Sequence, residues 1–115
     1  MWIFTETGFI SAVRKTENPD VMTVRSRDRD SLQPLASAAG VEIARSPYGD
    51  YPYRAFIQPE IFAGWVSEAA SSVGYSNFKS HIAHTRDRDY AHHLGEVWSV
   101  MLRTEDEDAR IIDQA

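Results

Sequence analysis

Three arginines occupy polar positions of two predicted strands, and arginines brought together in this way can bind the phosphate groups of a nucleic acid. Arg25 and Arg27 lie two residues apart, so on a strand their side chains point to the same face. Arg54 lies in a second segment with strand character. If the two strands share a sheet, the three side chains form one anion-binding patch, beside which aromatic rings can stack on bases. The candidate anion-binding or nucleic-acid-binding residues are Arg25, Arg27, Arg54 and Tyr53, with Tyr51 and Arg45 as neighbours.

The acidic residues near these arginines support a different interpretation. Ion pairs between the arginines and nearby acids would neutralise the patch, and exposed pairs of that kind are common but contribute little stability. The chain also lacks an RNP-type motif, and its net charge of −5 is opposite in sign to that of a protein that coats nucleic acid. We therefore keep a nucleic-acid-binding or nuclease-like module as the alternative function. The acids in question are Asp28, Asp30, Glu42 and Asp50.

Four histidines raise the question of a metal site. His81 and His84 lie three residues apart in a predicted helix, and such a pair can share one ion with a nearby carboxylate. The chain has no HExxH motif, and the adjacent His92 and His93 point about 100° apart on a helix. We predict no metal site, and His81 with His84 is the alternative.

The chain lacks cysteine and the sequence motifs that are typical of covalent and nucleotide-dependent catalysis. The chain has no cysteine, which excludes disulfides, cysteine-ligated zinc and thiol catalysis. It also has no Gly-x-Ser-x-Gly, GxGxxG or P-loop motif. We expect no catalytic residues and no cofactor.

The periodicity of apolar residues predicts which elements position these side chains. The predicted strands are a hairpin over 2–14 that turns at Glu6-Thr7-Gly8, then 21–27, 41–45 and 51–58, separated in part by a polar loop over 15–20. The predicted helices run from a cap at Asp30 or Ser31 to Gly40 with Pro34 in the first turn, from Pro59 to Gly74, over 77–84, and onward from a cap at Asp87 or Asp89. We expect the strand over 51–58 to be covered on both faces, since both of its faces contain apolar residues.

This order of elements predicts an α+β fold. Because strands and helices do not alternate regularly, we expect a mainly antiparallel sheet of about five strands with helices packed on one face. A ferredoxin-like variant is one option. We predict a single domain over 1–103, with Trp65 and Trp98 in its interior, followed by an acidic, disordered tail over 104–115.

The N-terminal residues and the lengths of the apolar runs bear on location. The first residues lack the basic and apolar regions of a signal peptide. No apolar run approaches the ~20 residues that cross a bilayer. We expect a cytoplasmic protein without a membrane partner.

Several short motifs together resemble a family of small uncharacterised proteins of about 100 residues from actinobacteria, cyanobacteria and phages. The resemblance covers nearly the whole chain up to about Leu102, and it implies a bacterial or phage origin but no activity. The motifs are Met1-Trp2-Ile3-Phe4-Thr5, Gly8-Phe9-Ile10-Ser11-Ala12-Val13, Asn18-Pro19-Asp20, Val24-Arg25-Ser26-Arg27, Asp50-Tyr51-Pro52-Tyr53-Arg54, Tyr75-Ser76-Asn77-Phe78-Lys79 and Glu96-Val97-Trp98-Ser99-Val100-Met101.

A complete small fold without reactive motifs favours a non-catalytic macromolecular interaction protein. We expect it to dock the edge of its sheet, or apolar parts of its helices, on another protein, which for a phage-encoded chain is a host protein. A homodimer is a further expectation, since exposed sheet edges can pair across a twofold axis.

Overall fold

A computed structural model of the chain describes residues 1–47 and 49–109. Its backbone contacts divide the chain into two compact units, Met1–Ser76 and a second unit that begins at Asn77. The prediction of one domain over 1–103 stays a prediction, and each unit has its own architecture.

The first unit contains a five-stranded antiparallel sheet and two helices, which confirms the α+β prediction. The strands lie in the order β1-β2-β3-β5-β4. A ferredoxin-like fold has the element order β-α-β-β-α-β, so that variant does not describe this unit. The elements are β1 (Trp2–Thr5), β2 (Gly8–Lys15), β3 (Asn18–Ser26), α1 (Arg29–Ala39), β4 (Ala44–Arg45), β5 (Tyr53–Ile57) and α2 (Pro59–Ser71).

Both helices of this unit pack on one face of the sheet, as predicted. Alternate residues of three strands point to that face, and they form one buried cluster with residues of α1 and α2. Trp65 packs against this cluster while part of its surface stays accessible. The members of the buried cluster are Ile10, Ala12, Val24, Leu32, Leu35, Ala36, Ala55, Ile57 and Phe62.

Two predicted boundaries before and at α1 are wrong. Lys15 pairs with Asn18, so only Thr16 and Glu17 form the turn, and the predicted loop over 15–20 is mostly strand. Asp28 is the last residue with an extended backbone before α1. Its carboxylate accepts a hydrogen bond of 2.6 Å from the Ser31 hydroxyl. The helix therefore begins at Arg29.

This earlier start places Pro34 inside α1 instead of in its first turn. Proline has no N–H, so an interior proline removes one of the hydrogen bonds of the helix. The predicted end of the helix is confirmed, because Gly40 has a φ of 68° and forms the left-handed cap.

The predicted strand over 41–45 is wrong except for its last two residues. The N–H of Val41 donates to the carbonyl oxygen of Ala36, so the chain at this point still completes the end of α1. Only Ala44 and Arg45 pair with β5. β5 itself begins at Tyr53, and its predicted burial on both faces is wrong, since Phe56 is 47% exposed.

The second unit contains two helices, α3 (Phe78–Thr85) and α4 (Arg88–Leu102). Side chains cap both helices: Asn77 accepts from the N–H of Ser80 at 2.9 Å, and Asp87 accepts from the N–H of Tyr90 at 2.7 Å. These caps include the predicted Asp87.

The expectation that Trp98 lies in the interior is wrong, since its side chain is 57% exposed. Within this unit, α3 has eight residues and α4 has fifteen. At 1.5 Å per residue α3 spans only about 12 Å, so it cannot cover the ~22 Å of α4. Leu94 is buried, and the apolar residues in the last two turns of α4 are exposed.

The acidic segment after α4 is described as far as Ala109. Residues 107–109 are helical, and the N–H of Ala109 donates to the Asp106 carboxylate at 2.9 Å. The remaining part of the predicted disordered tail, 110–115, lies outside the described residues. Among the helices of the described ranges, none combines the length and apolar character that crossing a membrane requires.

Truncation of Leu35 tests the position of the core. Leu35 is fully buried, so we expect Leu35→Ala to lower the free energy of unfolding by roughly 2–5 kcal/mol. Leu102→Ala is the matched control, because Leu102 is 45% exposed and loses little burial. Urea unfolding followed by circular dichroism measures both variants, and equal losses of stability would contradict the assigned core.

Candidate anion-binding face

The sheet face opposite α1 and α2 carries a different set of residues from the core face. One row of register partners crosses all five strands, and a shorter row lies on each side of it. Partners in a register point to the same face of a sheet, so these residues lie together. We call the following ten residues the open face: Trp2, Ser11, Arg25, Arg54 and Ala44 in the long row, Phe4 and Phe9 in the row on one side, and Val13, Thr23 and Phe56 in the row on the other.

Aromatic rings occupy both sides of the open face. Phe4 and Phe9 stack with ring centres 4.8 Å apart, and Trp2 meets Phe9 edge-on at 5.6 Å. Trp2 is 72% exposed and Phe4 is 38% exposed. Phe56 lies exposed on β5 at the other side of the face. These rings give the open face a contiguous apolar surface on β1 and β2 and a separate ring on β5.

Arg25 and Arg54 lie between the rings, directly opposite each other on β3 and β5. Arg25 donates from Nη2 to the hydroxyl of Ser11 at 2.8 Å. Arg54 donates to no acceptor in the described part of the chain. The strand register therefore places Arg25 and Arg54 on one sheet face, whereas Arg27 lies beyond the end of β3.

The ring of Tyr51 contacts the guanidinium groups of both Arg25 and Arg27. The guanidinium carbon of Arg25 lies 4.6 Å from the centre of the Tyr51 ring, and that of Arg27 lies 4.5 Å from it. Tyr51 is only 6% exposed, so both cation–π contacts form at a largely desolvated ring. Arg27 also donates from Nη1 to the main-chain oxygen of Asp50 at 2.6 Å. The three arginines proposed from the sequence thus lie at one end of the sheet.

Tyr53 does not belong to the open face. It alternates with Arg54 on β5 and is the register partner of Ser26 and Arg45, so it points to the core side. There the guanidinium carbon of Arg45 lies 4.8 Å from the centre of the Tyr53 ring, and that of Arg29 lies 5.3 Å from it. The Tyr53 hydroxyl also accepts a hydrogen bond from Nη1 of Arg45 at 2.8 Å. The structure therefore places Tyr53 and Arg45 in a second arginine–tyrosine cluster.

Acidic side chains do not neutralise the open face. None of its ten residues is acidic, and none of the three arginines forms an ion pair with an acid of the residues described. Two of the acids named from the sequence make other contacts, since the Asp28 carboxylate accepts from Ser31 and Asp50 contributes its main-chain oxygen to Arg27. The interpretation in which Asp28, Asp30, Glu42 and Asp50 cancel the arginines is not the arrangement found.

Gly49 allows Arg54 to lie close to the loop that precedes β5. A Cβ atom at Gly49 would stand 3.2 Å from Nη2 of Arg54, and the φ of Gly49 is 90°. Both the close approach and the positive φ favour glycine at this position.

The histidines do not gather into a metal site in the residues that the structure describes. No group of three or more histidine or acidic side chains there is placed to hold an ion. His81 and His84 lie on α3, where no third ligand from those residues joins them. His92 and His93 each lie 3.6 Å from the carboxylate of Glu96, and all three side chains are well exposed.

A groove in the first unit runs between β1 and α2. It has a volume of about 420 Å³. Its position beside an edge strand would suit a peptide that adds to the sheet, because β1 pairs only with β2. The apolar residues that line it include Ile3, Phe4, Trp65, Val66, Ala69 and Val73.

Sequence reasoning missed the aromatic residues of the open face. The alternation of Trp2 and Phe4 with Ile3 and Thr5 carries the information that two rings share a face. Read without partners, the hairpin gives no indication of which face the helices cover. The role of Tyr51 was also missed as a support, since it lies before β5 in a loop.

Comparisons of the chain with protein-family models, with curated proteins and with solved structures found no match. The resemblance to a family of small actinobacterial, cyanobacterial and phage proteins therefore stays a prediction.

Substitution of Gly49 tests the loop that contacts Arg54. We expect Gly49→Ala to lower the free energy of unfolding by about 1 kcal/mol or more, because alanine is strained at this φ and crowds the guanidinium. Gly64→Ala in α2 is the control, since nothing lies within 4 Å of its added Cβ. Alanine there should raise stability by ~0.5–1 kcal/mol. Changes of the same sign in urea unfolding would count against the described loop.

Proposed function

We propose that the protein is a non-catalytic binding protein that holds single-stranded nucleic acid on the open face. One observation carries the proposal: exposed aromatic rings lie on the same sheet face as arginines that no acid of the described residues neutralises. This arrangement supports the function that the sequence left as the alternative.

Each part of the open face matches a part of the ligand. Unpaired bases stack on aromatic rings with ~1–3 kcal/mol per base, and they do so with little dependence on sequence. Arginine side chains contact the backbone phosphates between stacked bases. Four neighbouring strands spaced about 4.8 Å apart give a width of roughly 14 Å from β1 to β5. Sheet faces of that kind stack two or three bases in known recognition modules.

A double helix fits this face less well than a single strand. In a duplex the bases stack on one another and their faces are unavailable to Trp2, Phe4 or Phe56. The remaining charge of the protein also opposes a large polyanion, since the net charge is −5. The proposed ligand is therefore a single-stranded segment of RNA or DNA.

The interaction with another protein that the sequence favours remains a second proposal. The observation in its favour is the groove beside β1, whose free strand edge and apolar lining suit strand addition by a host protein or by a second copy. Phage origin and a cytoplasmic location are proposals too. The cysteine-free composition agrees with a cytoplasmic location. Light scattering of the purified protein tests whether a second copy binds at this edge. A monomeric mass at high concentration would exclude a homodimer.

Removal of one ring tests the stacking surface. We expect Phe56→Ala to weaken binding of a labelled oligothymidylate of about 12 nucleotides by roughly 5- to 150-fold, because one stacked base loses its ring. Ile61→Ala is the control: Ile61 is 45% exposed, close to the 47% of Phe56, but it lies on α2. Fluorescence anisotropy measures both. No binding by the parent protein, or equal weakening by both variants, removes the proposal.

The dependence of binding on salt tests the contribution of the arginines. If Arg25, Arg27 and Arg54 together neutralise two or three phosphates of a single strand, the logarithm of the binding constant should fall with the logarithm of salt concentration with a slope of about −1.4 to −2. The same anisotropy assay at several sodium chloride concentrations gives this slope. A slope near zero would mean that phosphates are not contacted.

A further inference from the structure

Arg25 and Arg54 form an unusual pair in the sheet. They are direct register partners, and like charges directly opposite each other destabilise an antiparallel pair. No acid of the described residues separates or bridges them. The sheet thus places two positive charges side by side where ion pairing would ordinarily compensate them.

Three buried polar atoms in the same part of the open face have no hydrogen-bond partner among the residues that the structure describes: Nε of Arg25, Nε of Arg54 and the hydroxyl oxygen of Thr23. Thr23 is fully buried, precedes Arg25 by two residues on β3 and is the register partner of Phe56. Buried polar groups in proteins nearly always have partners, so such a cluster needs an explanation. Because the three atoms are buried, they do not face a ligand themselves, and they show that both arginine side chains are packed into the sheet face.

We propose that Arg25 and Arg54 form a subsite for one phosphate group, namely a phosphodiester of the bound strand. The planar fork of arginine matches the oxygens of a phosphate and binds it with two parallel hydrogen bonds. This inference rests on the proposed function and adds which chemical group of the ligand the arginine pair holds.

The two arginines have different parts in the subsite. Arg25 is fixed by its bond to Ser11 and by the ring of Tyr51, so its guanidinium keeps its place without a ligand. Arg54 has neither kind of contact in the described part of the chain, although it lies against Gly49. Arg54 is therefore the residue whose replacement removes binding without removing a structural contact.

Anion binding at this pair has a consequence for stability. A phosphate between the two guanidinium groups offsets their repulsion, so phosphate should raise the melting temperature of the parent protein. Arg54→Gln removes the repulsion, so this variant should melt roughly 1–6 °C higher than the parent protein without phosphate. Phosphate should then raise its melting temperature far less. A variant that loses a binding function and gains stability separates this account from a purely structural role.

The experiment follows the arginine Nε–H resonances by NMR while inorganic phosphate replaces sodium chloride at constant ionic strength. We expect the signals of Arg25 and Arg54 to shift together and to saturate. In Arg54→Gln the affinity measured at Arg25 should fall at least tenfold. Arg14→Gln is the matched control, because Arg14 is an exposed arginine on the same sheet that donates only to a main-chain oxygen, that of Pro19.

Two further arms separate the charge of Arg54 from its shape and the diester from a monoester. Arg54→Lys keeps the charge but loses the fork, so its melting temperature should stay near that of the parent protein while its phosphate affinity falls. A thymidine oligonucleotide with a free 5′-hydroxyl carries only diesters and should displace inorganic phosphate. Displacement by thymidine monophosphate but not by this oligonucleotide would overturn the diester assignment.

The failures of the subsite and of the proposed function give different results. If the oligonucleotide binds and Arg54→Gln weakens it no more than Arg14→Gln does, the subsite is wrong and the function stands. If phosphate saturates the pair and the oligonucleotide neither binds nor competes, the function is wrong and the diester assignment falls with it. Absence of any saturable shift with phosphate overturns the subsite directly.

Discussion

The packing of α1 and α2 on a single face of the sheet is the constraint on which the rest of the first unit depends. Strand alternation gives every strand two faces, and α1 and α2 both pack on the one that carries Ile10, Val24 and Ile57. With both helices of this unit on that side, the opposite face is left with exposed Trp2 and Phe56. Apolar rings exposed side by side in this way are typical of a surface that a ligand or partner covers.

The same face also shows how the chain keeps uncompensated charge in an ordered place. Tyr51 is buried beneath Arg25 and Arg27, and the loop before β5 supplies the main-chain oxygen of Asp50 to Arg27. These contacts hold guanidinium groups without neutralising them, whereas an ion pair would do both. A surface that must attract an anion needs guanidinium groups that are held in place but keep their charge. Stability and function therefore make opposite demands on Arg54, where no such support is present among the described residues.

Periodicity allowed much of this architecture to be predicted, and tertiary context explains what could not be. The proximity of Arg25 and Arg27 agrees with their spacing, since both contact the ring of Tyr51, and the strand register places Arg54 opposite Arg25. The placement of Tyr53 on the other face also follows from alternation with Arg54, although the sequence analysis grouped the two. The exposure of Trp98 was not predictable from its helical stripe, because the stripe does not reveal that Lys79 is the residue of α3 that lies over the ring. The lack of ion pairs likewise depends on where Asp28 and Asp50 point, which sequence proximity does not determine.

The central claim is that the open face, and not the helical side, is the ligand-binding surface. Chemical-shift mapping with an unlabelled single-stranded oligonucleotide tests it most directly. The account predicts that the indole N–H of Trp2, the backbone amides of β3 and β5 around Arg25 and Phe56, and the Nε–H of Arg54 shift, while the amides of α2 stay in place. Shifts that follow the groove residues of α2 such as Ala69, or no shifts at saturating oligonucleotide, would contradict it.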